Sequence, residues 1–157
     1  MRAVVQRVSN ASVSINGTRV GSCGRGYLIF LGVGADDSED DIERLWSKIW
    51  KLRIFPDGDK ATGADLASVD GEVLVISQFT LYADCRKGNR PSFTHAGTPG
   101  ESERLYELFI ERARKDARSV ACGEFGANMQ VELVNDGPFT ICLDTKDLAR
   151  PRSTRND

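Results

Sequence analysis

Two short segments carry residue types that could do chemistry. In Ser77-Gln78-Phe79-Thr80, polar side chains enter the otherwise apolar run from Glu72 to Tyr82 without a turn signal. Buried polar groups cost free energy unless they are bonded, so these residues need a reason to be there. A strand end that carries hydroxyls beside backbone N–H groups could host an acyl carbon and its developing oxyanion. In Asn135-Asp136-Gly137-Pro138, glycine leaves no side chain to push a ligand away, and an X-Pro bond is the common place for a cis peptide. Such a rigid pair could present carbonyl oxygens to a ligand. Each segment also has an ordinary reading, a hydroxyl bonding a neighbouring carbonyl or a plain turn. The loop Arg86-Lys87-Gly88-Asn89-Arg90 could meet phosphates, although a solvated charged loop is the default.

Other chemistries are poorly supported. Gly21-Ser22-Cys23-Gly24-Arg25-Gly26 has neither the P-loop lysine nor dinucleotide-fingerprint spacing, and reads as a turn between strands. The chain has no GxSxG elbow, and a histidine base would have to be His95. Cys23, Cys85, Cys122 and Cys142 never form a CxxC pair, so they read as reduced thiols; no metal and no cofactor is expected. Twenty-one Lys and Arg against 23 Asp and Glu give a net charge of −2, which disfavours a sequence-independent grip on nucleic acid such as DNA. No apolar run approaches the ~20 residues of a membrane span, and no signal peptide is evident, so a soluble, cytoplasmic chain is expected.

The elements that must position these segments follow from periodicity. Ala3–Val8 and Ala11–Ile15 read as strands, Asn16-Gly17 as a type I′ hairpin turn, Thr18–Gly21 as the return strand, and Tyr27–Val33 as a buried strand. Ser38 can cap a helix with Asp41 three residues on. Ile42, Leu45, Trp46, Ile49 and Leu52 then give that helix one apolar face, with Trp46 and Trp50 read as core. Lys60–Asp70 reads as an irregular connection and Glu72–Tyr82 as one strand. Thr98-Pro99-Gly100-Glu101 predicts a capping box on a second helix, whose buried face is Leu105, Leu108, Phe109, Arg112 and Ala113. Val120–Asn128 reads as a loop. Two strands, Gln130–Val134 and Phe139–Leu143, flank a turn at Asn135–Pro138. At 157 residues the pattern predicts a single α+β domain over 1–145, a curved, barrel-like sheet with two amphipathic helices packed on it. A basic, mobile tail is expected over 146–157.

Ser77-Gln78-Phe79-Thr80-Leu81 and Asn135-Asp136-Gly137-Pro138-Phe139-Thr140 resemble the two signature motifs of the D-aminoacyl-tRNA deacylases. Met1–Val8, Leu52–Phe55, Leu81–Asp84, Arg90–Phe93, Phe125–Ala127 and Met129 extend the resemblance over residues 1–144, in the family's order. It implies a homodimer with its active site at the subunit interface. The implied reaction is hydrolysis of the ester between a D-amino acid, or glycine, and the 3′ end of tRNA. Gly137 and Pro138 match a Gly-cisPro motif that reaches into the partner's site, holds the substrate's α-amino group and rejects L side chains; Arg7 would brace it. The resemblance places the ester at Ser77, Gln78, Phe79 and Thr80, against backbone N–H groups. Either Thr80 is a nucleophile or the terminal ribose 2′-OH assists water, and the absence of an evident base favours the second. Phe79, Phe125 and Met129 are candidates for an adenine pocket, and Lys87 and Arg90 for phosphates of the acceptor end. Phe139 stands where the family more often has Val, and Lys60–Leu66 departs from a stretch that usually contains Met-Asn. The competing readings are a binding module of the same fold without turnover and a general small-ester hydrolase; the latter is disfavoured by the lack of a Ser/His/acid set.

Overall fold

A computed structural model describes residues 1–151. Its backbone is one 14-residue strand with neighbours on both sides. β1 (Arg2–Ile15) pairs antiparallel with β2 (Thr18–Cys23), β3 (Gly26–Gly32) and β8 (Gln130–Asp144). β3 continues into parallel pairs with β6 (Glu72–Ser77) and then β7 (Val120–Cys122), while β4 (Phe55–Asp57) and β5 (Lys60–Ala64) form a separate hairpin. The sheet curls until β2 meets β7. A Cβ on Gly21 would lie 2.7 Å from the Cys122 carbonyl oxygen, so only glycine permits this near-closure. The β1–β2 turn is as expected, with Asn16 at φ 50° and Gly17 at φ 79°.

Side-chain alternation gives the sheet two apolar faces. Ala3, Val5, Tyr27, Ile29, Val73 and Val75 pack under α1 (Glu39–Trp50) and α2 (Pro99–Arg114). Val8, Val13, Leu28, Leu74 and Ile76 fill the inside of the curl. Trp46 is fully buried, its indole N–H donating to Asp116 at 2.9 Å. Among the described residues, no helix is long and apolar enough to cross a membrane.

Several expectations are corrected. The two N-terminal strands are one, because β8 pairs across the whole of β1. Lys60–Ala64 is a strand rather than an irregular connection, since its backbone groups pair with β4. Val120–Cys122 is a strand, made so by pairing with β6 although the sequence around it is rich in glycine. The Thr98 hydroxyl makes no capping bond; Glu101 turns instead to Arg104, at 2.6 Å. The buried face of α2 is Ser102, Leu105, Tyr106, Phe109, Ile110 and Ala113, whereas Arg112 points outward to Glu43 and Asp116. The first helix is capped as read, with the Ser38 N–H donating to Asp41 at 3.0 Å. A third helix, α3 (Thr145–Leu148), begins where a mobile tail was expected, anchored by the fully buried Thr145. Residues 152–157 of that tail lie outside the described residues.

The ends of β1 and β8 are tied by Arg2, whose Nε donates to Asp144 at 2.9 Å and whose Nη1 donates to the Leu81 carbonyl at 2.9 Å. Burial alone would push the Asp144 carboxyl up, but the bonds from Arg2 and the Lys146 N–H outweigh it and hold the group below its ordinary value. A lowered folded pKa contributes stability above the unfolded value of about 3.9 and loses it as pH falls through the folded value. Asp144→Asn is therefore expected to cost about 0.5–1 kcal/mol at pH 7, a difference that shrinks below about pH 4. Urea unfolding of both proteins across pH 3–7 checks this.

Candidate active site

β6 does not run on to Tyr82 as its composition suggests. It ends at Ser77, and Phe79–Tyr82 forms a 3-10 turn. The strand stops because its ladder stops: the Gln78 N–H makes the last bond, to the Leu31 carbonyl at 2.8 Å. The first donors of any helical turn have no internal acceptor. Accordingly, among the described residues the N–H groups of Phe79 and Thr80 donate to nothing. The polar residues that interrupted the apolar run therefore mark a strand-to-turn transition that exposes two adjacent backbone donors.

Beside this transition lies a cavity of about 620 Å³. The ends of β3 and β6 supply Leu31, Ile76, Ser77 and Gln78; α2 supplies Ser102 and Tyr106. The segment between β7 and β8 supplies Phe125, Asn128 and Met129, and Phe79 and Phe93 stand at the rim. Phe79 is 56% exposed and its ring meets Phe93 edge-on at 5.0 Å. Tyr106 is almost fully buried and donates to the Val75 and Gly123 carbonyls at 3.0 and 3.3 Å, holding β6 and β7 in place behind the cavity. Burial pushes its phenol well above the ordinary tyrosine range, so it remains a donor. Among the described residues, no carboxylate, histidine, lysine, arginine or cysteine lines the cavity.

The remaining residues singled out in the sequence lie elsewhere. Thr80 does not line the cavity, and its hydroxyl oxygen accepts a hydrogen bond from the Gln78 side-chain amide. Lys87 and Arg90 are exposed on a loop closed at its base by Asp84 and Ser92, whose N–H and carbonyl groups bond reciprocally at 2.7 and 3.0 Å. Phe93 follows directly, so this basic loop stands at the cavity's rim. His95 lies in a second depression of about 810 Å³ on the other side of the turn. The charges there are mutually paired, Arg2 with Asp144, Arg86 with Asp84 and Lys146 with Asp36, which leaves little for a ligand.

Asn135–Pro138 is not a turn between two strands. It is a bulge within the continuous β8. Gln6 pairs with Thr140 and Val8 with Asn135, so Asp136 to Phe139 have no ladder partner on β1. The Gly137-Pro138 bond is cis. Arg7, only 5% exposed, holds the bulge from beneath. Its Nε donates to the Asp136 carbonyl at 3.1 Å, its Nη2 to the Gly137 carbonyl at 3.2 Å and its Nη1 to the Ile54 carbonyl, while the Asp136 carboxylate pairs with it at 2.9 Å. Neither Gly137 nor Pro138 lines the cavity. Gly137 lies six positions along β8 from Val131 at the cavity wall, up to roughly 20 Å of strand. Within one chain, the structure brings Ser77, Gln78, Phe79, Phe125 and Met129 together and leaves Arg7, Gly137 and Pro138 apart.

The chain is similar to one family over most of its length. A model of that family, D-Tyr-tRNA(Tyr) deacylase, matches residues 4–144. The chain belongs to it. Membership makes the chain a hydrolase of the ester bond in aminoacyl-tRNA, a proofreading activity of translation. A D-aminoacyl-tRNA deacylase of Thermotoga petrophila is 53% identical over 148 residues, covering 94% of this chain and 99% of the relative. One of Syntrophobacter fumaroxidans is 53% identical over 146 residues, covering 93% and 98%. A solved structure named c-Myc DNA Unwinding Element Binding Protein is 39% identical, with a TM-score of 0.87 over 92% of this chain and 98% of that one. The structure of a probable eukaryotic D-amino acid tRNA deacylase, 17% identical, shares the fold at a TM-score of 0.79 over 90% and 97%.

Sequence reasoning missed Phe93 and Tyr106 as site residues. Tyr106 interrupts the apolar stripe of α2 with a hydroxyl, a signal that could have found it; Phe93 sits in a polar loop, where the resemblance over Arg90–Phe93 was the available signal. The two aromatic residues Phe79 and Tyr106 should separate cleanly in stability. Phe79→Ala, losing a largely exposed ring, is expected to cost less than about 1 kcal/mol. Tyr106→Phe, which strips the Gly123 carbonyl of its donor, is expected to cost about 1–2 kcal/mol. Equilibrium urea unfolding measures both.

Proposed function

We propose that the protein acts as a homodimer that removes D-amino acids, and glycine, from the 3′ end of tRNA in the cytoplasm, each active site combining the cavity of one chain with the Gly137-Pro138 bulge of the other. The observation that carries this reading is at Gly137. A Cβ built there meets nothing within 4 Å among the described residues, so none of them demands glycine there. Glycine at an open position at the tip of a braced bulge points to a body outside the chain that must come close. The cavity, for its part, offers no charged side chain among the described residues to hold an α-ammonium.

In this reading Phe79, Phe125 and Met129 hold the terminal adenine by stacking and soft contact, and Lys87 and Arg90 meet phosphates of the acceptor end. The ester carbonyl lies against the N–H groups of Phe79 and Thr80, which stabilise the oxyanion as water adds. The partner's bulge offers the Pro138 carbonyl, and the lone pair of the Gly137 carbonyl that Arg7 leaves free, to the substrate's α-ammonium. An amino acid held there with an L side chain collides with the bulge, a D side chain points away, and glycine has none to collide. Discrimination by collision rather than by attraction suits a protein that must spare every L-aminoacyl-tRNA. Because no side chain in the cavity can serve as a base, the ribose 2′-OH adjacent to the ester is the group that assists the attacking water. Thr80 then positions the turn through Gln78 rather than attacking.

Purified protein is expected to release D-Tyr from D-Tyr-tRNA and to spare L-Tyr-tRNA. Gly137→Ala is expected to unfold within about 0.5 kcal/mol of the parent, since its new methyl meets open space. The same change is expected to lower D-Tyr-tRNA deacylation by about 100-fold or more, the methyl now standing where substrate must sit. Equal activity on both enantiomers, or an active Gly137→Ala protein, would overturn the assignment.

A further inference from the structure

Phe139 follows the bulge directly, and its ring lies against the group that braces it. The Arg7 guanidinium carbon stands 4.5 Å from the Phe139 ring centroid, with Phe55 on the same cation at 6.0 Å. Phe55 is fixed independently by stacking on the buried Tyr27 at 5.2 Å, and the Tyr27 hydroxyl donates to the Leu52 carbonyl at 3.2 Å. One wall of the Arg7 site therefore belongs to the rigid core. The closer wall is Phe139. Its backbone is tied as well: the Asn135 side-chain amide donates to the Phe139 carbonyl at 3.2 Å and to the Arg7 carbonyl at 2.8 Å.

We infer that Phe139 is a positioning residue whose ring fixes the Arg7 guanidinium, and through it the Gly137 carbonyl, at the place from which the bulge discriminates D from L substrates. This rests on the reading that the Gly137-Pro138 bulge is the chiral filter. The Arg7–Gly137 bond, at 3.2 Å, is at the long end for a charge-assisted hydrogen bond and tolerates tilt of the guanidinium. A ring face against the cation removes that tilt, because the attraction to the ring's electron-rich face holds the cation over it. An aliphatic side chain at 139 fills space but offers no such face. A loosened bulge then moves both outcomes in opposite senses: the α-ammonium of a D substrate is held less well, and the collision that excludes an L side chain is softened.

The test compares single-turnover release from D-Tyr-tRNA and L-Tyr-tRNA for the parent protein, Phe139→Leu and Phe139→Tyr, with melting temperatures alongside. Phe139→Leu is expected to lower the D-to-L rate ratio about tenfold, with kcat on the D substrate falling and KM changing less than about twofold. Phe139→Tyr, which keeps the ring face, is expected to retain the parent ratio. A series of progressively fluorinated phenylalanines at 139 weakens the face's attraction at constant shape, and the ratio is expected to fall stepwise while the melting temperature holds. A ratio unchanged in folded Phe139→Leu and flat across the fluorinated series would overturn the inference, whatever happens to stability. If Phe139→Leu does not fold, the fluorinated series alone decides. A parent protein that fails to distinguish the enantiomers would instead reveal failure of the underlying reading.

Discussion

A guanidinium group cannot be taken out of water without acceptors around it, and the placement of Arg7 organises the bulge on which the proposed function rests. An unpaired buried charge costs several kcal/mol, so acceptors must converge on it. They come from the chain before β4, at Ile54, and from β8, at Asp136 and Gly137. A regular antiparallel ladder would spend those β8 carbonyls on β1. The register shift between Gln6 and Val8 instead throws Asp136–Phe139 out of the ladder and leaves the Asp136 and Gly137 carbonyls to the cation. The bulge and the buried arginine are thus one feature, and its Gly137-Pro138 segment is exposed, where another molecule can meet it.

At the far end of the same sheet the constraint is the reverse: donors left without acceptors. β6 stops pairing at Gln78, and the turn that follows opens two N–H groups beside a cavity lined, among the described residues, by no carboxylate, histidine, lysine, arginine or cysteine. Such a site can bind and stabilise charge but cannot itself supply a proton acceptor. In the proposed reading its chemistry leans on the substrate, which in an aminoacyl-tRNA carries a hydroxyl next to the scissile ester.

Much of this was legible in the sequence, for physical reasons that can be named. The β1–β2 hairpin was written in Asn16-Gly17, because both residues must take positive φ. The α1 stripe was written in the spacing of Ile42, Leu45, Trp46 and Ile49, all buried. Ser77–Thr80 stood out because polar residues in an apolar strand demand an explanation, and the explanation is that the strand ends. What was not legible depended on partners distant in sequence. Val120–Cys122 and Lys60–Ala64 are strands only because β6 and β4 pair with them. Asn135–Pro138 read as a turn since local chemistry cannot reveal that β1 runs uninterrupted beneath it. Phe139 gave no hint of its contact with Arg7, a residue 132 positions earlier in the chain.

The central claim is that each active site is shared between two chains, and subunit mixing tests it most directly. One variant, Gly137→Ala, spoils the bulge. Another, Ala127→Trp, fills the cavity that Ala127 lines. Each alone is expected to be inactive on D-Tyr-tRNA. If a site takes its cavity from one chain and its bulge from the other, random re-pairing of the two restores one intact site in every mixed dimer, and activity returns to about a quarter of the parent level. No recovery, in a mixture shown to contain mixed dimers, would contradict the shared site and place cavity and bulge in a single chain.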